Sequence, residues 1–139
     1  MRFLDSSVFL HAYLKPRRKL RQREKIIKEM AKKILEKIEE GEEVATTVIH
    51  LAEILNIVES RLGLKYSISL LARILSLSNI LIEGVDLDDY KNGLTISERY
   101  GISINDSIAY IKMEKLNINE IYTFDKHFKN LPEIKIVGG

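Results

Sequence analysis

The chain has 139 residues, a formal net charge of +2, 45% hydrophobic and 30% charged residues, and no Cys. That length and balance describe one globular domain, 1–139, and the missing Cys excludes a disulfide framework and a thiolate zinc site, so a metal must be held by oxygen or by three His. The longest apolar region, Ile68 to Ile82, is broken by Arg73, Ser residues and Asn79 and is too short to cross a bilayer; Asp5, Ser6 and Ser7 spoil a leader peptide, so a cytoplasmic protein without a membrane partner is expected.

The opening run, Phe3 and Leu4 ending at Asp5, predicts a buried strand that delivers a carboxylate to its C-terminal end, the edge where open α/β sheets bind ligands. Ser6 or Ser7 is placed to cap a short helix through Val8, Phe9, Ala12 and Tyr13, which Pro16 breaks. Apolar residues at helical spacing from about Lys19 to Glu40 predict an amphipathic second helix closed by Gly41. Val44 to Thr46 reads as a strand, and Thr46 or Thr47 as the cap of a helix turning Val48, Leu51, Ala52, Leu55 and Val58 inward, with Glu53 among them.

Gly63 marks a turn, Ser67 the start of the next helix, and Ile80 to Ile82 a third strand. Asp86 and Asp89 form a capping box for a helix from Leu87 to Tyr100, and Ser103 with Asp106 begins another. Glu120 to Thr123, a turn from Phe124 to Asn130, and Ile134 to Val137 complete the chain. Strands alternating with helices specify a mainly parallel sheet covered on both faces.

Charge is unevenly distributed. Eleven of the 22 Lys and Arg lie between Lys15 and Lys37, against three Glu, which suggests a polyanionic partner. That face has a plain reading as solvated surface, and a functional one in which Arg17, Arg18, Arg21 and Arg23 track the backbone of that polyanion.

Four acids stand at strand ends or early in helices: Asp5, Glu53, Asp106 and Asp125. Taken singly, Asp5, Asp106 and Asp125 can serve as caps and Glu53 as a solvated helix residue. Taken together at one sheet edge, their like charges require a cation, and hard oxygen ligands favour Mg²⁺ or Mn²⁺ with phosphodiester hydrolysis as the chemistry. His11, His50 and His127 are too scattered to specify a zinc site.

The start Phe3-Leu4-Asp5-Ser6-Ser7-Val8, Glu53 after Thr47, Asp106 in Ile104 to Ala109 and Asp125 in Thr123 to Phe128 together resemble the PIN domain family of metal-dependent ribonucleases, in particular the VapC toxins. The resemblance implies a three-layer α/β/α fold with a five-stranded parallel sheet, and a cluster of Asp5, Glu53, Asp106 and Asp125 holding one or two Mg²⁺ or Mn²⁺ ions. It makes the hydroxyls of Ser7 and Thr123 supports of that cluster. It further implies water attack on an RNA phosphodiester, a small antitoxin partner, and a homodimer for which Val48 to Val58 and Ser67 to Leu77 offer surfaces. A PIN nuclease of RNA maturation without an antitoxin, or an RNA-binding module without catalysis, keeps the same fold.

Overall fold

The computed structural model describes residues 1–138. Five strands, β1 (Arg2–Leu4), β2 (Val44–Thr47), β3 (Ile80–Glu83), β4 (Glu120–Tyr122) and β5 (Lys135–Val137), form one sheet in the order β3-β2-β1-β4-β5. Every pairing is parallel, with Phe3 opposite Ala45 on one side and Ile121 on the other. The chain moves outward from β1 first to one side and then to the other, so the crevice at the C-terminal end of β1 is the switch point of the topology. Asp5 follows β1 directly.

Side-chain alternation explains the layers. Leu4, Val44 and Tyr122 point into one core with residues of α1 (Ser6–Tyr13), α2 (Gln22–Glu39), α3 (Val48–Leu62) and α4 (Leu64–Ser76). Their neighbours Phe3, Ala45 and Ile121 point into the other, with residues of α6 (Ile104–Lys115) and partly buried residues of α5 (Leu87–Tyr100). Phe3 and Leu4 are 0% and 1% exposed on opposite faces, so β1 is clamped from both sides and truncating Phe3 to Ala would cost about 3–5 kcal/mol.

The caps follow the sequence. The Asp86 side chain accepts from Asp89 N–H, and Asp89 reciprocates at Asp86 N–H. Gly101 ends α5 at φ 66°, a left-handed conformation that a side chain disfavours.

Three expectations need correction. Ser6 is not a cap: Asp5 holds the N-cap position without a side-chain cap bond, and Ser6 Oγ instead donates to Glu53 Oε1 at 3.2 Å. The fourth helix begins at Leu64 and not at Ser67, because Gly63 at φ 99° lets a single residue join α3 to α4; Ser67 lies inside, its hydroxyl on Leu55 O at 3.2 Å. The buried stripe of α3 is His50, Ile54 and Val58, while Val48 is 43% exposed. Apolar residues occur on two faces of α3, so periodicity alone does not choose between them.

Candidate metal centre

Asp5 is held from below by backbone and from the side by hydroxyls. Its N–H donates to Tyr122 O at 3.0 Å, extending the β1–β4 ladder by one residue. Oδ2 accepts from Ser7 Oγ and from Thr123 Oγ1, each at 2.7 Å. Those hydroxyls in turn accept from Phe124 N–H and Asp125 N–H, each at 3.0 Å. Each hydroxyl thus spends its proton on Asp5 and its lone pair on the segment after β4, which ties the two strand ends together. Oδ2 is occupied, and the 4% exposed carboxylate presents Oδ1 to the rest of the site.

Asp106 lies in the first turn of α6, where its N–H donates to Ser103 Oγ at 3.1 Å. The carboxyl is 6% exposed, and its buried Oδ2 has no hydrogen-bond partner among the described residues. Burial first, then the charges of Asp125 and Asp5, push its pKa up to about 7. Asp125 is the third residue after β4 and caps a short 3-10 helix (Lys126–Asn130), Oδ1 accepting from His127 N–H at 2.9 Å. One ligand atom from each of Asp106, Asp125 and His127 falls within 4.8 Å of the others. Asp5 and Glu53 both stand outside that group, Asp5 acting on Asp106 through its charge and Glu53, half-buried in α3, lying beside Ser6.

Two carboxylates this close, with a third adjacent and an orphaned buried oxygen, do not coexist ionised without a countercharge. The donor set is carboxylate oxygen with one exposed imidazole, which fits a hard divalent cation such as Mg²⁺ or Mn²⁺.

His50 was missed by sequence reasoning. It is 0% exposed, its Nε2 has no hydrogen-bond partner among the described residues, and that atom stands 3.8 Å from Asp5 Oδ1. Thr47 Oγ1 accepts from the N–H groups of Ile49 and His50, so its proton goes to His50 Nδ1 at 2.7 Å and the ring proton is assigned to Nε2. Burial lowers the His50 pKa against the opposing pull of Asp5 and Glu53, which keeps the ring neutral. The available signal was the spacing Thr47, His50, Glu53, which places the ring one helical turn before an acid and over the cap.

A sequence model of the PIN domain family matches residues 2–134. The chain belongs to the PIN domain family. Among solved structures, this PIN domain is similar to Mycobacterium tuberculosis VapC20, described as a toxin cleaving the sarcin–ricin loop, with TM-score 0.71, 22% identity and 93% of each chain covered. It is also similar to a toxin–antitoxin complex from Klebsiella pneumoniae, with TM-score 0.64, 15% identity, 97% of this chain and 96% of that chain. At such identities the likeness is one of fold. No curated protein sequence matches the chain.

The basic residues of this PIN domain differ in their surroundings. Arg18 is engaged by Glu24 through two hydrogen bonds of 2.8 and 3.0 Å, and Arg21 lends its N–H to the same carboxylate at 2.9 Å. Arg17 lines a cleft with Lys15 at the far end of α3, near Arg61. Arg23 alone of the four lines a cavity shared with Asp125. Among the described residues no helix is long and apolar enough to cross a membrane.

Proposed function

We propose that this PIN domain is an endoribonuclease dependent on Mg²⁺ or Mn²⁺, the toxin of a VapBC-type toxin–antitoxin pair acting on RNA in the cytoplasm. The observation that carries the reading is the buried, unpartnered Oδ2 of Asp106 beside Asp125 and Asp5, in a member of a nuclease family. Asp5, Glu53, Asp106 and Asp125 are assigned as metal-holding and catalytic, Ser7 and Thr123 as their supports, and Arg23 as a substrate contact. When bound, the ion lowers the pKa of water and stabilises the charge that develops on the phosphodiester.

The chain's own residues prepare that site. Ser7 and Thr123 fix the Asp5 carboxylate in one rotation. Asp106 holds a proton near neutral pH in the ion-free site and releases it as a cation enters, so metal affinity rises with pH. Asp125 orders the turn carrying Lys126 and His127 at the mouth of the site.

Partners are supported by surface. Apolar side chains are exposed on α3 and α4, Leu62, Leu64, Ile68 and Leu75 among them, and this reading gives that face to a second copy of the chain. A cleft of about 510 Å³ against α1 and α2, lined by Ala12, Tyr13 and Leu35, is assigned to the antitoxin. The test is incubation of partner-free protein with a panel of structured RNAs in Mg²⁺ or Mn²⁺, beside Asp5→Asn. Cleavage by the wild type alone supports the reading; no cleavage with either ion overturns it.

A further inference from the structure

A cavity of about 330 Å³ opens beside the carboxylates, sharing Thr123 and Asp125 with them. Its walls come from the first turns of α2 and from the segment after β4, which the sequence separates by about a hundred residues. Arg23, Lys126 and Lys129 supply three cations. Among the described residues none of the three has a carboxylate within ion-pair distance, whereas Arg18 nearby is closed by Glu24.

The floor is apolar. Ile26 is 51% exposed on the face of α2 that the amphipathic pattern gives to charge, and it lines the cavity with Phe124 and Ile136. Phe124 is half-buried, and its ring is held edge-on against the His11 ring at a centroid distance of 5.2 Å. An exposed isoleucine and an oriented aromatic ring lining one cavity with three free cations have the chemistry of a site for a flat apolar group that carries negative charge. The volume sits at the small end of ligand sites, roughly 300–1,000 Å³, which suits one nucleotide and excludes a duplex.

We infer that this cavity is the subsite for the nucleotide next to the scissile phosphate of single-stranded RNA, with the phosphate on Arg23, Lys126 and Lys129 and the base against Ile26, Phe124 and Ile136. The inference rests on the ribonuclease reading and deepens it. The three cations offset the repulsion between Asp125 and the RNA backbone, while the apolar floor gives the splayed base a surface.

The two halves of the subsite separate by salt. Full-length protein is titrated into a fluorescein-labelled single-stranded oligoribonucleotide in Ca²⁺ buffer at several KCl concentrations, and the same proteins are assayed for cleavage in Mn²⁺. The triple variant Arg23→Gln, Lys126→Gln, Lys129→Gln is expected to bind about tenfold more weakly, with a salt slope shallower by about 0.7, the contribution of the one single-strand phosphate they hold. Ile26→Ser is expected to bind severalfold more weakly with an unchanged slope. Lys33→Gln with Lys37→Gln, toward the other end of α2, is expected to leave both unchanged, and melting curves verify that every variant is folded. If wild type binds and cleaves but the triple variant matches it, or the distal pair falls as far, the subsite is overturned and the ribonuclease reading stands. If wild type neither binds nor cleaves, both fall.

Discussion

The two ends of β1 and β4 carry opposite electrostatic solutions. At the N-terminal edge Arg2 lies 3.2 Å from Glu42 and 3.6 Å from Glu120. The Tyr122 hydroxyl donates to Glu42 Oε1 at 2.6 Å and accepts from Arg2 Nη1 at 2.7 Å. Charges there are paired and polar atoms satisfied. At the C-terminal edge of the same strands Asp125 lies with Asp106 and Asp5 adds its charge, one buried oxygen has no partner among the described residues, and the nearby ring, His50, is neutral. The fold readily closes a polar cluster at one end, so the open cluster at the other is a local feature, the one the proposed cation would complete.

Breaking the open end has the largest expected effect. Asp5→Asn removes charge and keeps shape; if the ion supplies several kcal/mol of transition-state stabilisation, RNA cleavage falls by about a thousandfold. Cleavage kinetics in Mn²⁺ check this. Next comes the ring behind Asp5. His50→Leu keeps volume and removes the Nε2–H that faces Oδ1, and Mn²⁺ affinity read by calorimetry is expected to fall by about tenfold or more, since a residue that orients a ligand carries that weight. An unchanged affinity would show that His50 only packs.

The third effect is pH-dependent. Asp106 titrates at about 7 in the folded chain against an ordinary 3.8, so between those values the folded state holds a proton that the unfolded chain has lost. Stability of the metal-free protein therefore falls as pH rises from about 4 to about 7 and levels off above. Urea melts in EDTA across that range check the sign, and saturating Mn²⁺ is expected to remove the decline. The closed end gives the smallest change. Tyr122→Phe deletes one satisfied hydroxyl and costs about 1 kcal/mol, with metal affinity unchanged.

Much of this was legible in the sequence for identifiable reasons. A run ending at Asp5, the Asp86 and Ser103 caps, and Gly101 are local signals, and the structure keeps each. The five strands lie within a residue of their expected bounds because each is a short apolar run between turn residues. The phase of α3 was not legible, because Val48, Leu51 and Leu55 compete with Ile54 and Val58 for the same core. At the site, acids in order along the chain announced an acidic edge, yet the placement of Asp106 with Asp125 and His127, and of Glu53 beside Ser6, comes only with the strand order. His50 was hidden because its meaning depends on a cross-strand neighbour, Asp5, 45 residues away in sequence. Lys28 is similar: it reads as one more surface lysine, but its Nζ donates to Ala12 O at 2.8 Å and closes the end of α1.

The claim that a cation completes the open edge is tested most directly by the melting temperature of wild type and Asp106→Asn at pH 7.5, in EDTA and in rising Mn²⁺. In EDTA, Asp106→Asn is expected to melt above wild type, because a buried like charge has been removed. With Mn²⁺, wild type is expected to rise and overtake the variant, whose own rise is small. A wild type that does not respond to Mn²⁺, or an Asp106→Asn protein that responds equally, would contradict the account.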